Sequence, residues 1–423
     1  MNESGAFVPL EGIHSDDYII ATYLIGAERD VDIFKYAQGI AFEQTTGTWV
    51  RVPWETEDLR EAHGGKVVGI YEVPAHECTI PKGVEERQFI VRLAYPVINL
   101  GSNFPLLLTT VAGEISSHGR IKLLDLEFPK RYVEMYKGPR FGIDGVRKIL
   151  RVFDRPLLLN MIKPCTGFSP EVGAKLLYEV GKGGVDIIKD DELIVDPPFC
   201  PLKVRVKKYM EQCKRIYEEI GRVVLYTPNI TDRPDKILDH AREAIDAGAK
   251  GLMISYLPAG FSSIQVLVES RDIQVPLLGH SGFSGLLYES PSSGISSALL
   301  QGKLPRLLGL DMVLVLNPYA QFPVLRDQYL KICRLLQAPF FDLKPGFPMI
   351  GGGVHPGRVT EIINDIGKDC ILGAGGAIHG HPLGPMAGAK AFSQALEATC
   401  SGMKLEEAAT RCEELRIALS TWK

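Results

Sequence analysis

From about residue 145 onward, short apolar runs alternate with stretches whose apolar positions recur at i, i+3, i+4 and i+7. The short runs predict strands at 157–163, 185–189, 223–227, 251–256, 276–280, 312–316, 348–352 and 370–373. Helical periodicity between them is clearest at 170–180 and 235–245, and two further helical stretches, 385–400 and 404–419, are expected to close the array and pack outside it. Eight strand–helix units over about 250 residues point to a (β/α)₈ TIM barrel, with an open doubly wound sheet as the alternative. The first part of the chain has another texture. Alternating strands at 17–24, 66–73 and 87–94 surround a helix at 32–44, which predicts an α+β (ferredoxin-like) domain. The expected organisation is an N-terminal α+β domain over 1–139, joined through 127–139 to an α/β barrel domain over 140–423 that includes the C-terminal helices.

Length supports this division, because 423 residues exceed what one hydrophobic core usually holds. With 45% hydrophobic and 23% charged residues the chain has the composition of a globular enzyme. A net charge of -4 without any basic run argues against a nucleic-acid partner. No uncharged apolar run reaches the length of a membrane span, and residues 1–6 lack the cationic and apolar regions of a secretory signal. A soluble cytoplasmic protein is expected. Its eight cysteines form no C-x-x-C pair, which suits reduced thiols better than zinc or disulfides.

If the barrel reading holds, residues at the C-terminal strand ends face the site of chemistry. One of those ends reads Gly183-Gly184-Val185-Asp186-Ile187-Ile188-Lys189-Asp190-Asp191-Glu192. Strand alternation puts Lys189 and Asp191 on one face, with Glu192 where the strand opens into a loop. Two carboxylates are part of an oxygen shell for a hard divalent cation such as Mg²⁺. A lysine beside them fits once CO₂ has added to its amine, because the carbamate is a third anionic oxygen ligand. The plain alternative is a strand end with solvated charges.

Other strand ends add chemistry. Lys163 in Ile162-Lys163-Pro164 is a candidate base, since a lysine near a metal and a phosphate is expected to have a lowered pKa, or else a counter-ion. His280 ends the fifth strand and can ligate, orient a substrate hydroxyl or satisfy its own nitrogens. The runs Gly351-Gly352-Gly353 and Gly375-Gly376 each lead towards a helix, at the ends where barrels commonly bind phosphate through backbone N–H groups. In the first domain, Glu43 to Trp49 reads as a capped loop, and Thr109 to Glu114 as a β-like run ending in an acid.

Together these segments resemble the ribulose bisphosphate carboxylase (RuBisCO) superfamily along nearly the whole chain. The matching stretches, in order, are Glu43 to Trp49, Ile162 to Pro164, Lys189 to Glu192, His280, Gly351 to His355 and Gly373 to Pro385. The resemblance implies a carbamylated Lys189 that binds Mg²⁺ with Asp191 and Glu192, Lys163 as the proton-transfer base, and a phosphate held by Gly352, Gly353, Gly375 and Gly376. It also implies at least a homodimer, in which Glu43, Thr48, Trp49 and Glu114 of one subunit enter the neighbour's site.

The departures from the carboxylase pattern are equally specific. Cys165 stands where carboxylases have a second lysine, and Ser281 where an arginine grips a second phosphate. Leu314 falls near a lost histidine. Asn317-Pro318-Tyr319-Ala320-Gln321 replaces the mobile lysine-bearing loop, and Gly351 replaces a serine. The resemblance is therefore to RuBisCO-like (form IV) members, and it implies Mg²⁺-assisted enolisation of a phosphorylated ketose, such as 5-methylthioribulose 1-phosphate, by an enolase or isomerase. Glu114 occupies the place of a lysine thought to be the base in the 2,3-diketo-5-methylthiopentyl-1-phosphate enolases. Alternatives are a decarboxylase or transcarboxylase/hydrolase acting on a β-keto acid phosphate such as 3-oxo-isoapionate 4-phosphate, and a non-catalytic regulatory or stress-related protein.

Overall fold

The computed structural model describes residues 7–48, 50 and 52–422. Contacts divide it into two compact units, one comprising the chain up to Tyr136 together with Phe283–Leu300, the other Lys137–Gly282 and Gln301 onward. Segment 283–300 makes its contacts with the first unit.

The first unit is built on β1 (Tyr18–Glu28), β2 (Lys66–Glu72), β3 (Glu86–Pro96) and β4 (Ile121–Glu127), joined by β10 (Gly294–Ile295) from much later in the chain. The sheet order is β10-β4-β1-β3-β2, antiparallel except for β10 on β4. With helices Ile33–Glu43 and Phe104–Ala112 between strands, this is the ferredoxin-like arrangement. Two expectations are corrected here. Strand β4 was not predicted, because its register on β1 shifts at Leu124 and a bulge breaks the period-two pattern there. The β-like run at 109–114 is in fact the end of the helix Phe104–Ala112 and the start of a 3₁₀ turn. Its β-branched residues favour a strand, but the Asn103 side chain caps the Leu106 N–H, Pro105 starts the helix, and Phe104, Leu107, Thr110 and Val111 bury one face.

In the second unit, β5 (Leu157–Met161), β6 (Ile187–Lys189), β7 (Leu225–Thr227), β8 (Leu252–Ser255), β9 (Leu277–His280), β11 (Met312–Leu316), β12 (Phe347–Gly351) and β13 (Ile371–Ala374) fall within or beside the eight predicted runs. All pair in parallel, in the order β7-β6-β5-β13-β12-β11-β9-β8. A bridge between Asn229, two residues beyond β7, and Met253 brings the two outer strands together and closes the barrel. Side chains from every strand fill its interior, among them Leu159, Ile187, Leu225, Met253, Leu278, Met312, Met349 and Ile371. The expected terminal helix at 404–419 is two, Leu405–Ala409 and Glu413–Thr421, after the long helix Pro385–Cys400. No helix among the described residues is long and apolar enough to cross a membrane.

Two buried acids fix the lower ends of strands. Asp186, just before β6, accepts hydrogen bonds from both terminal guanidinium nitrogens of Arg155 (2.7 and 2.8 Å), from the Leu158 N–H and from Arg222. Asp311, just before β11, accepts the N–H groups of Phe141 and Gly142 (2.7 Å each) and of Leu277 (2.9 Å), tying the helix Gly142–Leu150 to the barrel. Burial pushes the Asp311 carboxyl up to about 6 against the pull of those N–H groups, from an ordinary 3.8. A raised acid favours the protonated folded state. Its contribution to stability is fully present below its unfolded pKa and is lost as pH rises through the folded one. The stability advantage of the native protein over Asp311→Asn should shrink by up to about 3 kcal/mol between pH 4 and pH 7. Urea unfolding across that range checks this, and a constant difference counts against it.

Candidate active site

Strand β6 ends in side chains that alternate between two environments. Lys189 is fully buried, and its Nζ donates to the Asp190 carbonyl at 2.8 Å and lies 3.5 Å from Glu192 Oε2. Asp190 turns to the opposite side. There it accepts Arg205 through Nε and Nη2 (3.1 and 3.0 Å), the Tyr226 hydroxyl (2.7 Å) and the Asn229 N–H (3.0 Å). Asp191 is on the Lys189 side, as period-two alternation requires, and receives Lys163 Nζ on Oδ2 at 2.5 Å. Glu192 Oε2 lies 3.2 Å from His280 Nε2. Asn229, given no role from sequence, pins this turn by donating to the carbonyls of Asp191 and Glu192 (3.4 and 3.3 Å).

The electrostatics separate the two lysines. Burial pushes the Lys189 amine down, despite the nearby Glu192 and Asp191 carboxylates. Lys163 corrects the sequence expectation of a lowered pKa. Burial pulls it down, but the hydrogen bonds to Asp191 and Cys165 outweigh that pull and leave it raised. Burial also lowers His280. Its Nδ1 accepts the Gly282 N–H at 3.1 Å, so the neutral ring carries its proton on Nε2, towards Glu192. Burial resists charge on Glu192, but the His280 hydrogen bond and Lys189 hold it below the usual carboxylate range.

Among the described residues, no three His, Cys, Asp or Glu side chains converge on a common point. What converges is two carboxylates and a buried amine with a depressed pKa, all at the end of one strand. That donor set suits a hard, oxygen-preferring dication only if the amine becomes an oxygen donor. Lys163 and His280 each engage one oxygen of these carboxylates. The residues therefore fit Mg²⁺ with a carbamate on Lys189.

Beside this cluster, strand β12 ends in Gly351 and strand β13 is followed by Gly375. Gly352 and Gly353 both have φ of +85°, a conformation that disfavours any side chain. Gly375 lies against Lys163, whose Cε would be 3.0 Å from an added Cβ. Among the described residues, the N–H groups of Gly352, Gly353, Gly375 and Gly376 donate to no protein acceptor. Sequence reasoning missed the neighbouring pair of Asn160 and His379. His379 Nε2 lies 3.1 Å from Asn160 Oδ1, and Asn160 Nδ2 donates to the Ala374 carbonyl at 3.0 Å, linking β5 to the glycine end of β13. Burial, then the Lys163 charge, lowers His379 to about 4, so it is neutral. The two residues are 219 positions apart, and no local pattern marks them.

The remaining expected site residues belong to the first unit. Thr48 is exposed in the loop after the helix Ile33–Glu43, and Glu114 is exposed at the start of a 3₁₀ turn. Glu43 ends that helix, with its carboxylate 3.6 Å from His118 Nε2. Trp49 lies outside the described residues.

Residues 7–132 match the ribulose bisphosphate carboxylase large chain N-terminal domain, and residues 142–317 and 329–422 match its catalytic domain. The chain is 47% identical to a ribulose bisphosphate carboxylase-like protein of Archaeoglobus fulgidus, over 93% of this chain and 90% of that one. It is 39% identical to the 2,3-diketo-5-methylthiopentyl-1-phosphate enolase of Geobacillus kaustophilus, over 96% and 98%. Among solved structures, a rubisco-like protein from Alicyclobacillus acidocaldarius superposes with a TM-score of 0.89 at 33% identity, covering 96% of this chain and 100% of that one. The dimeric archaeal Rubisco of Hyperthermus butylicus superposes with a TM-score of 0.88 at 30% identity, covering 99% and 98%.

Asp190→Ala leaves the fully buried Arg205 guanidinium without its carboxylate and should destabilise the fold by about 3–5 kcal/mol, read as a lower urea midpoint. A loss below about 1 kcal/mol would show that Arg205 is not held by charge.

Proposed function

This chain belongs to the ribulose bisphosphate carboxylase large-chain family, and we propose that within it the protein is an enolase of the RuBisCO-like kind, not a carboxylase. The reaction is removal of a proton from carbon next to a carbonyl of a phosphorylated, methylthio-bearing ketone. The substrate is of the class named for the Geobacillus relative, or the closely allied 5-methylthioribulose 1-phosphate. The observation that carries this reading is the joined cluster Lys163–Asp191 and Lys189–Glu192–His280 at the C-terminal ends of three barrel strands.

The depressed pKa of Lys189 favours its free amine, the form that reacts with CO₂. The nitrogen bonds to the carbon, one proton leaves, and the carbamate joins Asp191 and Glu192 as the third anionic donor. Mg²⁺ held there would supply Lewis-acid polarisation of a carbonyl. Lys163 Nζ is assigned the role of taking and returning the carbon-bound proton. Burial is the pull that favours its free amine, and the hydrogen bonds to Asp191 and Cys165 oppose it. His280, with its proton on Nε2, orients a substrate oxygen. The free N–H groups of Gly352, Gly353, Gly375 and Gly376 hold the phosphate.

Ser281 and Leu314 offer no charge for a second phosphate, which supports a substrate with one phosphate and a less polar far end. Glu114 stands where the resemblance implies a lysine base, so proton transfer is assigned to the barrel lysine. A homo-oligomer, at least a homodimer, in which Thr48, Trp49 and Glu114 complete a partner's site, is part of the same reading and agrees with the dimeric archaeal relative. Cytoplasmic residence agrees with eight unpaired cysteines.

NMR in D₂O with Mg²⁺ and bicarbonate tests the chemistry on 2,3-diketo-5-methylthiopentyl 1-phosphate, 5-methylthioribulose 1-phosphate and a β-keto acid phosphate. Exchange or isomerisation should appear with a methylthio substrate and fall at least about 10²–10⁴-fold in Lys163→Met. In Lys189→Ala it should be abolished. Full activity in Lys189→Ala would sink the carbamate, and release of CO₂ from the keto acid would make the enzyme a decarboxylase.

A further inference from the structure

The loop after β11 packs onto the glycine pair that ends β12. Asn317 is fully buried, and its Nδ2 donates to the Gly351 carbonyl at 2.7 Å and to the Gly352 carbonyl at 3.0 Å. Its main-chain N–H reaches the same Gly351 oxygen at 3.2 Å, and its Oδ1 accepts the Tyr319 N–H at 2.9 Å. Every hydrogen-bonding group of this carboxamide that faces the loop is thus engaged.

Peptide geometry turns that contact into a direction. In a trans peptide the N–H points opposite to the C=O of the same unit. Drawing the Gly351 and Gly352 carbonyls towards Asn317 therefore turns the N–H groups of Gly352 and Gly353 away from it, next to each other. These are two of the N–H groups that find no acceptor among the described residues. Successive N–H groups aimed at one point form an anion-binding concavity.

The loop itself is held from behind. The Tyr319 hydroxyl donates to Asp365 at 2.5 Å, Arg326 Nε donates to the Tyr319 oxygen at 3.0 Å, and Arg326 also pairs directly with Asp365. It leaves no room for a side chain on either glycine. A Cβ on Gly352 would lie 2.8 Å from the Phe322 ring, and one on Gly353 would lie 2.9 Å from the Ala320 Cβ.

We propose that Asn317 is a positioning residue for a phosphate monoester, because its carboxamide aims the Gly352 and Gly353 N–H groups at the phosphate. The loop 317–322, tied through Tyr319 and Arg326 to Asp365, acts as the fixed buttress of that site. This inference rests on the reading that these glycines hold the phosphate, and the experiment separates the two.

Inorganic phosphate is titrated calorimetrically into the wild-type protein, Gly353→Ala, the near-isosteric Asn317→Leu, which donates nothing, and Asn317→Ser, which donates one hydrogen bond. Thermal unfolding is followed in parallel. Phosphate affinity should fall at least tenfold in Asn317→Leu and in Gly353→Ala, and by an intermediate factor in Asn317→Ser, grading with the number of donors whatever the order of the unfolding midpoints. Loss of affinity in Gly353→Ala with wild-type affinity in a folded Asn317→Leu overturns the role of Asn317 and leaves the glycine reading standing. If Asn317→Leu does not fold, wild-type affinity in Asn317→Ser overturns it equally. A wild-type protein that fails to bind phosphate at millimolar concentration, or binds it no better than Gly353→Ala, overturns the glycine reading and the inference with it.

Discussion

A primary amine wholly out of water is stable as a cation only if its partners replace the lost hydration, and Lys189 has partners that do so only in part. Its nearest acceptors are a main-chain carbonyl and one oxygen of Glu192 at 3.5 Å. Burial lowers its pKa, whereas that of Lys163 is raised, and the mouth is arranged around Lys189. Asp191 beside it is engaged by Lys163, Glu192 by His280, and both carbonyls of the turn by Asn229. Each of these groups approaches from a different strand, so the cluster exists only when the barrel is closed.

Strand β6 itself is three residues long, too short for its ladder alone to hold a lysine in register. A buried acid stands at each end of it. Asp186 is gripped by Arg155 and Arg222, and Asp190 by Arg205, Tyr226 and a main-chain N–H. Buried ion pairs of this kind add little net stability over apolar packing, because desolvation offsets much of their attraction. Their use here is positional, since slipping the strand by one residue would strand both acids and both sets of arginines.

The glycine ends of β12 and β13 solve a different problem. An anion binds best to N–H groups with no competing acceptor, and such groups persist only where the surrounding chain holds the backbone open. At β12 the loop after β11 does this through Asn317, and at β13 the Asn160–His379 pair ties the strand to β5. One unit thus carries a cation-suited cluster and an anion-suited rim built by the same device, polar side chains spent on main-chain carbonyls.

Much of this is local and therefore legible in sequence. The period of two places Lys189 and Asp191 together and Asp190 apart, and the spacing of apolar runs marks all eight barrel strands, because covalent geometry repeats whatever the partner. Where local signals compete, reading fails: a bulge at Leu124 hides β4, and an Asn103 cap overrides the strand preference of Thr109 to Val111. The raised pKa of Lys163, the tautomer of His280, the pairing of Asn160 with His379 and the reach of Asn317 to Gly351 were decided only by the tertiary structure. Each depends on burial or on a hydrogen bond between residues brought together by the folded chain, and both are properties of the space around a residue rather than of its neighbours in sequence.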